Sequence, residues 1–188
     1  MRIVAIHCAE AVQGLGGDGN CGLTPAGIRQ SRLCLTRLTG LDFAPSLGLM
    51  PPYRRAVETA GQILPATFQK ILELTELGYP TGEDYSRMKI AARGLSGATA
   101  LRYLEEQGQH SWLASWGALG ASAVWEAVEE AGGENTLSDV LIVGLDRVLL
   151  TALGSVLFTQ HASDLLHAGF GEAEGFVVDN RTLVQIRI

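Results

Sequence analysis

Arg2-Ile3-Val4-Ala5-Ile6-His7-Cys8, with Leu23-Thr24-Pro25-Ala26-Gly27-Ile28-Arg29-Gln30-Ser31 downstream of it, decides the fold. The first run is short, apolar and rich in β-branched residues, as a buried strand is, and the glycine-rich Gly14-Leu15-Gly16-Gly17-Asp18-Gly19-Asn20 after it reads as a flexible loop. Thr24 then carries the side chain of a helix N-cap. Pro25 suits the first helical position, where its missing N–H has no helical partner, and Ile28, Leu33, Leu35 and Leu38 follow at roughly helical spacing. These residues make a β-loop-α unit with His7 at the exit of its strand. The glycines do not form a dinucleotide fingerprint, because GxGxxG opens a helix and this helix opens later, at Thr24-Pro25. The loop reads instead as the rim of a pocket.

Outward from this unit the alternation repeats. Residues 47–50 predict a second strand and residues 54–64 a helix, separated by Pro51-Pro52, which neither element tolerates in its interior. Residues 81–133 are rich in Ala, Leu, Glu and Gln and predict two or more helices. Val140-Leu141-Ile142-Val143-Gly144 is another buried strand. A helix over 147–158, continuing beyond Thr159 in one reading, comes next, and then a hairpin about Asp179-Asn180-Arg181. Strands alternating with helices predict an α/β protein, a three-layer α/β/α sandwich on a mostly parallel sheet, as one domain over residues 1–188. Ligands of such sheets collect beyond the carboxyl ends of the strands, so the informative residues follow Ile6, Met50 and Val143.

Composition narrows the function classes. The formal net charge of −6, with Lys and Arg scattered, offers no electrostatic footprint for nucleic acid or an anionic membrane. No apolar run is long enough to span a bilayer. Cys8, Cys21 and Cys34 form no CxxC pair, which suits reduced thiols and predicts a cytoplasmic protein; Cys8 reads as packing. His110, His161 and His167 lack HExxH spacing, so neither a metal nor a cofactor is assigned. An apolar fraction of 47% allows a homo-oligomer interface.

The three strand exits match blocks of one family. Ile6-His7-Cys8-Ala9-Glu10 with Leu23-Thr24-Pro25-Ala26-Gly27-Ile28-Arg29-Gln30-Ser31 resembles the Arg-His-Gly-Glu block and LTxxGxxQA helix of the histidine phosphatase superfamily, the phosphoglycerate mutase-like proteins. Tyr53-Arg54-Arg55-Ala56-Val57-Glu58-Thr59-Ala60 resembles its Ser-Ser-Pro-x-x-Arg-Ala-x-x-Thr-Ala block. Val140 to Asp146 lies where such proteins carry vlvVxHG, matching in pattern. The resemblance implies a phosphoglycerate mutase-like fold over nearly the whole chain.

In that family one histidine attacks a phosphoryl group, two arginines and a second histidine hold its oxygens, and a carboxyl group protonates the leaving oxygen. The resemblance places His7 at the nucleophile and Arg55 at the second arginine, whereas Ile6 replaces the first arginine and Leu145 the second histidine. Glu76, in Leu74-Thr75-Glu76-Leu77-Gly78, fits the acid best, and Arg29 and Arg147 are further candidates for phosphate binding. Losing one preorganised donor costs about a hundredfold to a thousandfold in rate. Two apolar replacements therefore imply an impaired phosphatase that binds a phosphorylated or other anionic small molecule, or a protein partner. The alternatives are a working phosphatase or phosphohistidine phosphatase that uses His7 as nucleophile, with Arg147 or another side chain replacing the missing donors, and an oligomeric scaffold.

Overall fold

Strand β1 (Arg2–His7) is apolar because it lies inside the sheet, between β4 (Asp139–Gly144) and β5 (Gly175–Val178). The computed structural model describes residues 1–12, 20–65, 68, 70–79, 86, 97–106, 108, 110–134, 136–167, 170–179 and 182–188. The strand order is β3-β2-β4-β1-β5-β6, with β2 at Pro45–Met50, β3 at Ile71–Glu73 and β6 at Leu183–Ile186. The first four strands of that order run parallel, and β5 and β6 form an antiparallel hairpin along one edge. The mostly parallel sandwich and the terminal hairpin agree with the sequence reading.

Successive side chains of a strand point to opposite faces, and here the two faces find different helices. Val4, Ile6, Met50, Leu141 and Val143 pack against α1 (Pro25–Thr39) and α2 (Arg54–Ile63). Ile3, Ala5, Val140, Ile142 and Phe176 pack against a layer made by α4 (His110–Glu130), α5 (Arg147–Leu157) and α6 (Ala162–His167), while α3 (Gly97–Glu106) packs on α5. The predicted helix from residue 147 ends at Leu157, where Phe158 leaves the helical conformation, and a separate 3-10 turn at Thr159–His161 and then α6 follow it. Much of the predicted helical middle, the glycine loop at 13–19 and the hairpin tip at Asn180-Arg181 lie outside the described residues. No helix among the described residues is long and apolar enough to cross a membrane.

Two glycines allow close approaches to β1 and the chain leaving it. A Cβ on Gly27 would lie 2.0 Å from the Glu10 carbonyl oxygen, so only glycine lets α1 close onto the chain leaving β1. Thr24 then caps α1 by accepting from the Gly27 N–H at 2.9 Å, as its place before Pro25 predicts. A Cβ on Gly175 would lie 1.9 Å from the Ala5 carbonyl oxygen, which fixes the approach of β5 to β1.

Candidate functional site

The carboxyl ends of β1 and β4 meet the segment 171–174 around one imidazole. The His7 N–H donates to the Glu174 carbonyl at 2.8 Å, and the Cys8 N–H to the Gly144 carbonyl at 2.8 Å. His7 itself is only 5% exposed. Its Nδ1 lies 3.3 Å from the Gly171 carbonyl oxygen and its Nε2 3.2 Å from that of Leu145. A neutral imidazole has a single N–H and could serve one of these oxygens, whereas an imidazolium donates to both. The surrounding charge favours the second state. Burial pulls the ring towards neutrality, but the Cys8 sulfur, Glu172 and Asp146 outweigh it and raise the pKa to about 9. Glu172 Oε2 stands 3.4 Å from Nδ1.

Arg55 arrives from the first turn of α2, which the Pro51-Pro52 break starts at Arg54. Its Nη2 donates to the same Leu145 oxygen at 2.8 Å. The guanidinium lies over the Tyr79 ring, 5.4 Å from its centre, and Tyr79 meets Tyr53 edge-on. Arg55 Nε is buried and has no hydrogen-bond partner among the described residues. The Leu145 carbonyl thus faces His7, Arg55 and, at 3.7 Å, the Cys8 thiol. Asp146 fixes this orientation by capping α5, its Oδ1 accepting from the N–H groups of Val148 at 2.8 Å and Leu149 at 3.4 Å. The Leu145 side chain turns the other way, into the core under α1 and α2.

The geometry brings His7 and Arg55 together and leaves the other candidates outside their hydrogen-bond network. Ile6 is fully buried in the core facing α1 and α2. Arg29 is exposed on α1. Arg147 is exposed and donates to the Phe170 carbonyl at 3.3 Å. Glu76 is exposed and lines a groove with Glu73, Glu126 and Glu130 beside α4. The side chains of His110 and His167 lie outside the described residues, and His161 Nδ1 is 3.9 Å from Asp164. Among the described residues no group of three or more His, Cys, Asp or Glu is arranged to hold a metal ion. The cysteines are free thiols, and burial pushes Cys34 up to about 12.

Several participants carry no sequence signal. The Leu145 and Gly171 oxygens are main-chain atoms, and Glu172-Ala173-Glu174 matches no motif. Glu174 nevertheless pins the segment, accepting from the Gly171 N–H at 2.6 Å, the Ile188 N–H at 3.2 Å and Arg187 at 3.0 Å. Burial pushes its carboxyl up, and these donors together pull it below the usual range.

Comparison with known proteins extends this geometry. The model of the histidine phosphatase superfamily (branch 1) matches residues 8–178, beginning one residue after His7. No curated protein matches in sequence. Among solved structures, the protein histidine phosphatase SixA complexed with tungstate is 18% identical, with a TM-score of 0.63, covering 99% of this chain and 96% of that one. Phosphoserine phosphatase of Entamoeba histolytica in complex with 3-phosphoglyceric acid is 15% identical, with a TM-score of 0.63 and coverage of 98% and 94%. A mycobacterial glucosyl-3-phosphoglycerate phosphatase with VO3 is 17% identical, with a TM-score of 0.62 and coverage of 98% and 95%. At such identities the likeness is one of fold.

Proposed function

This chain belongs to branch 1 of the histidine phosphatase superfamily, and from that premise we propose that it is a non-catalytic member, a binding protein whose anion pocket is closed by its own backbone. The observation that carries this reading is the Leu145 carbonyl oxygen, shared between His7 Nε2 and Arg55 Nη2. Attack on phosphorus needs a lone pair on a ring nitrogen that reaches substrate. Here each ring nitrogen faces a carbonyl oxygen, and an imidazolium has no lone pair in the ring plane to offer. The carboxylates of Glu172 and Asp146, which act on His7 by their charge, also oppose the approach of a phosphate dianion. With Ile6 and Leu145 at two donor positions, the pocket supplies two cationic side chains and surrounds one of them with negative charge. The ligand class this reading assigns is a small oxyanion or an anionic group on a protein partner, in the cytoplasm.

The test is hydrolysis of para-nitrophenyl phosphate by the wild type and His7→Ala across mildly acid to neutral pH. Equal, background rates are expected in both. Turnover that vanishes in His7→Ala would overturn the non-catalytic reading.

A further inference from the structure

Resting on that reading of the pocket, we propose that the Leu145–Asp146 peptide is a displaceable plug. Its carbonyl occupies the seat of an oxyanion, and movement of the turn between β4 and α5 exchanges it for a ligand held on the Nε/Nη2 edge of Arg55.

Two independent features lead to this. The first is convergence on one oxygen: Arg55 Nη2 at 2.8 Å and His7 Nε2 at 3.2 Å, with the Cys8 thiol at 3.7 Å. Charged donors of this kind are the usual holders of an anionic oxygen, and here they hold a neutral amide oxygen. The second is the half-used guanidinium. Nε–H and one Nη2–H lie parallel on the same edge of the planar group, spaced for the two oxygens of a carboxylate or phosphate. Nη2 gives a hydrogen to the single Leu145 carbonyl, and Nε is left buried without a partner among the described residues. An unpaired buried donor is costly, so the closed state carries a strain that a bidentate oxyanion relieves and the plug cannot.

The plug is held by Asp146, whose carboxylate caps α5 and thereby aims the preceding carbonyl into the pocket. The same carboxylate adds negative charge at the site, so two of its effects oppose an anion: one by geometry, one by charge. They are separable by substitution. Asp146→Asn keeps a capping oxygen and removes the charge, while Asp146→Gly removes both and is a tolerated residue at a helix N-cap.

The experiment titrates inorganic phosphate, and acetate in parallel to separate a tetrahedral from a planar oxyanion, into wild type and both variants. Calorimetry gives the affinity in every protein, and the Arg55 Nε–H resonance reports the ligand's place in those that keep the arginine. Asp146→Asn is expected to tighten binding several-fold and Asp146→Gly at least tenfold beyond that, with the gain lost on adding Arg55→Lys, which has no fork. In the wild type the resonance is expected to move at high phosphate. Equal affinities of the Asn and Gly variants, gain that survives Arg55→Lys, or an Nε–H resonance that stays still in every protein that keeps Arg55 would each overturn the plug. None of these results touches the non-catalytic reading, which falls only to His7-dependent hydrolysis by the wild type.

Discussion

The two walls of the pocket offer opposite chemistry. One, built by β1, α1 and α2, keeps what the family blocks carry: Thr24 caps α1, Gly27 lets it close onto Glu10, and Arg55 turns a donor inward. The other, built by the turn after β4 and residues 171–174, presents the carbonyls of Leu145 and Gly171 with the carboxylates of Asp146 and Glu172. A pocket for an anion needs donors on both sides. Here Arg55 Nη2 and the His7 ring meet acceptors of the other wall, while Arg55 Nε stays unpaired among the described residues. On the proposed non-catalytic reading, these contacts between the walls are what keep the pocket closed.

The harshest test of that contrast is to put the family's residue back. Ile6→Arg restores the residue type that the family blocks carry before the histidine, yet Ile6 is fully buried among the apolar residues under α1 and α2. Burying an unpaired guanidinium there is expected to cost about 3–5 kcal/mol, read from the denaturation midpoint. A variant as stable as the wild type would mean that the arginine reaches the pocket, and that the first wall can still be rebuilt.

Second in size is the proton on His7, which joins the walls. Its folded pKa of about 9 lies above the ordinary value of 6.5, so the folded state holds the proton more tightly than the unfolded chain. Its contribution is fully present below about pH 6.5 and is lost as pH rises through about 9, an effect of about 3 kcal/mol. Unfolding free energy measured at a series of pH values should fall across that window. His7→Gln, which keeps a donor but does not titrate, should flatten it. A slope that persists in His7→Gln assigns the proton to another group and removes the clasp between the walls.

The retained wall was legible in the sequence because local rules write it. A strand of β-branched residues, a Thr-Pro helix start and the Arg-Ala-x-x-Thr-Ala block each depend on side chains a few residues apart, and β1, α1 and α2 fall where these place them. The facing wall was not legible, since its working groups are two carbonyl oxygens and a carboxylate brought to His7 from residues 145 and 171–172. The sequence identified Leu145 by its apolar side chain and by the histidine it replaces. What acts at the site is its main chain, whose direction is set by the Asp146 cap. The position of Asp146 immediately before the predicted helix from residue 147 was the available clue to the cap.

Glu174 gives a smaller handle on the acceptor wall alone. It is mostly buried and receives hydrogen bonds from Gly171, Ile188 and Arg187, so Glu174→Gln should cost about 1–2 kcal/mol by loosening the segment that carries Gly171. Its carboxyl is held below the usual 4.5, so this contribution is present above that pH and is lost as pH falls through the depressed value. The wild type should therefore lose stability on acidification more steeply than Glu174→Gln. Equal acid profiles would show that the segment is held by its backbone contacts instead.

The smallest effect separates the walls most cleanly. Thr24 Oγ1 accepts from the Gly27 N–H at 2.9 Å and donates to Glu10 Oε1 at 2.7 Å, so Thr24→Ala removes a helix cap on the donor wall, at an expected cost of about 1 kcal/mol. Thr24→Ser keeps the capping oxygen and should recover most of that loss. Neither substitution touches a group around His7, so both proteins should show the wild-type fall in stability between about pH 6.5 and 9. If Thr24→Ala also shifts that window, α1 and the imidazolium clasp are coupled through Glu10 and the chain leaving β1. The two walls would then be one cooperative unit whose donor half cannot be altered without loosening the acceptor half.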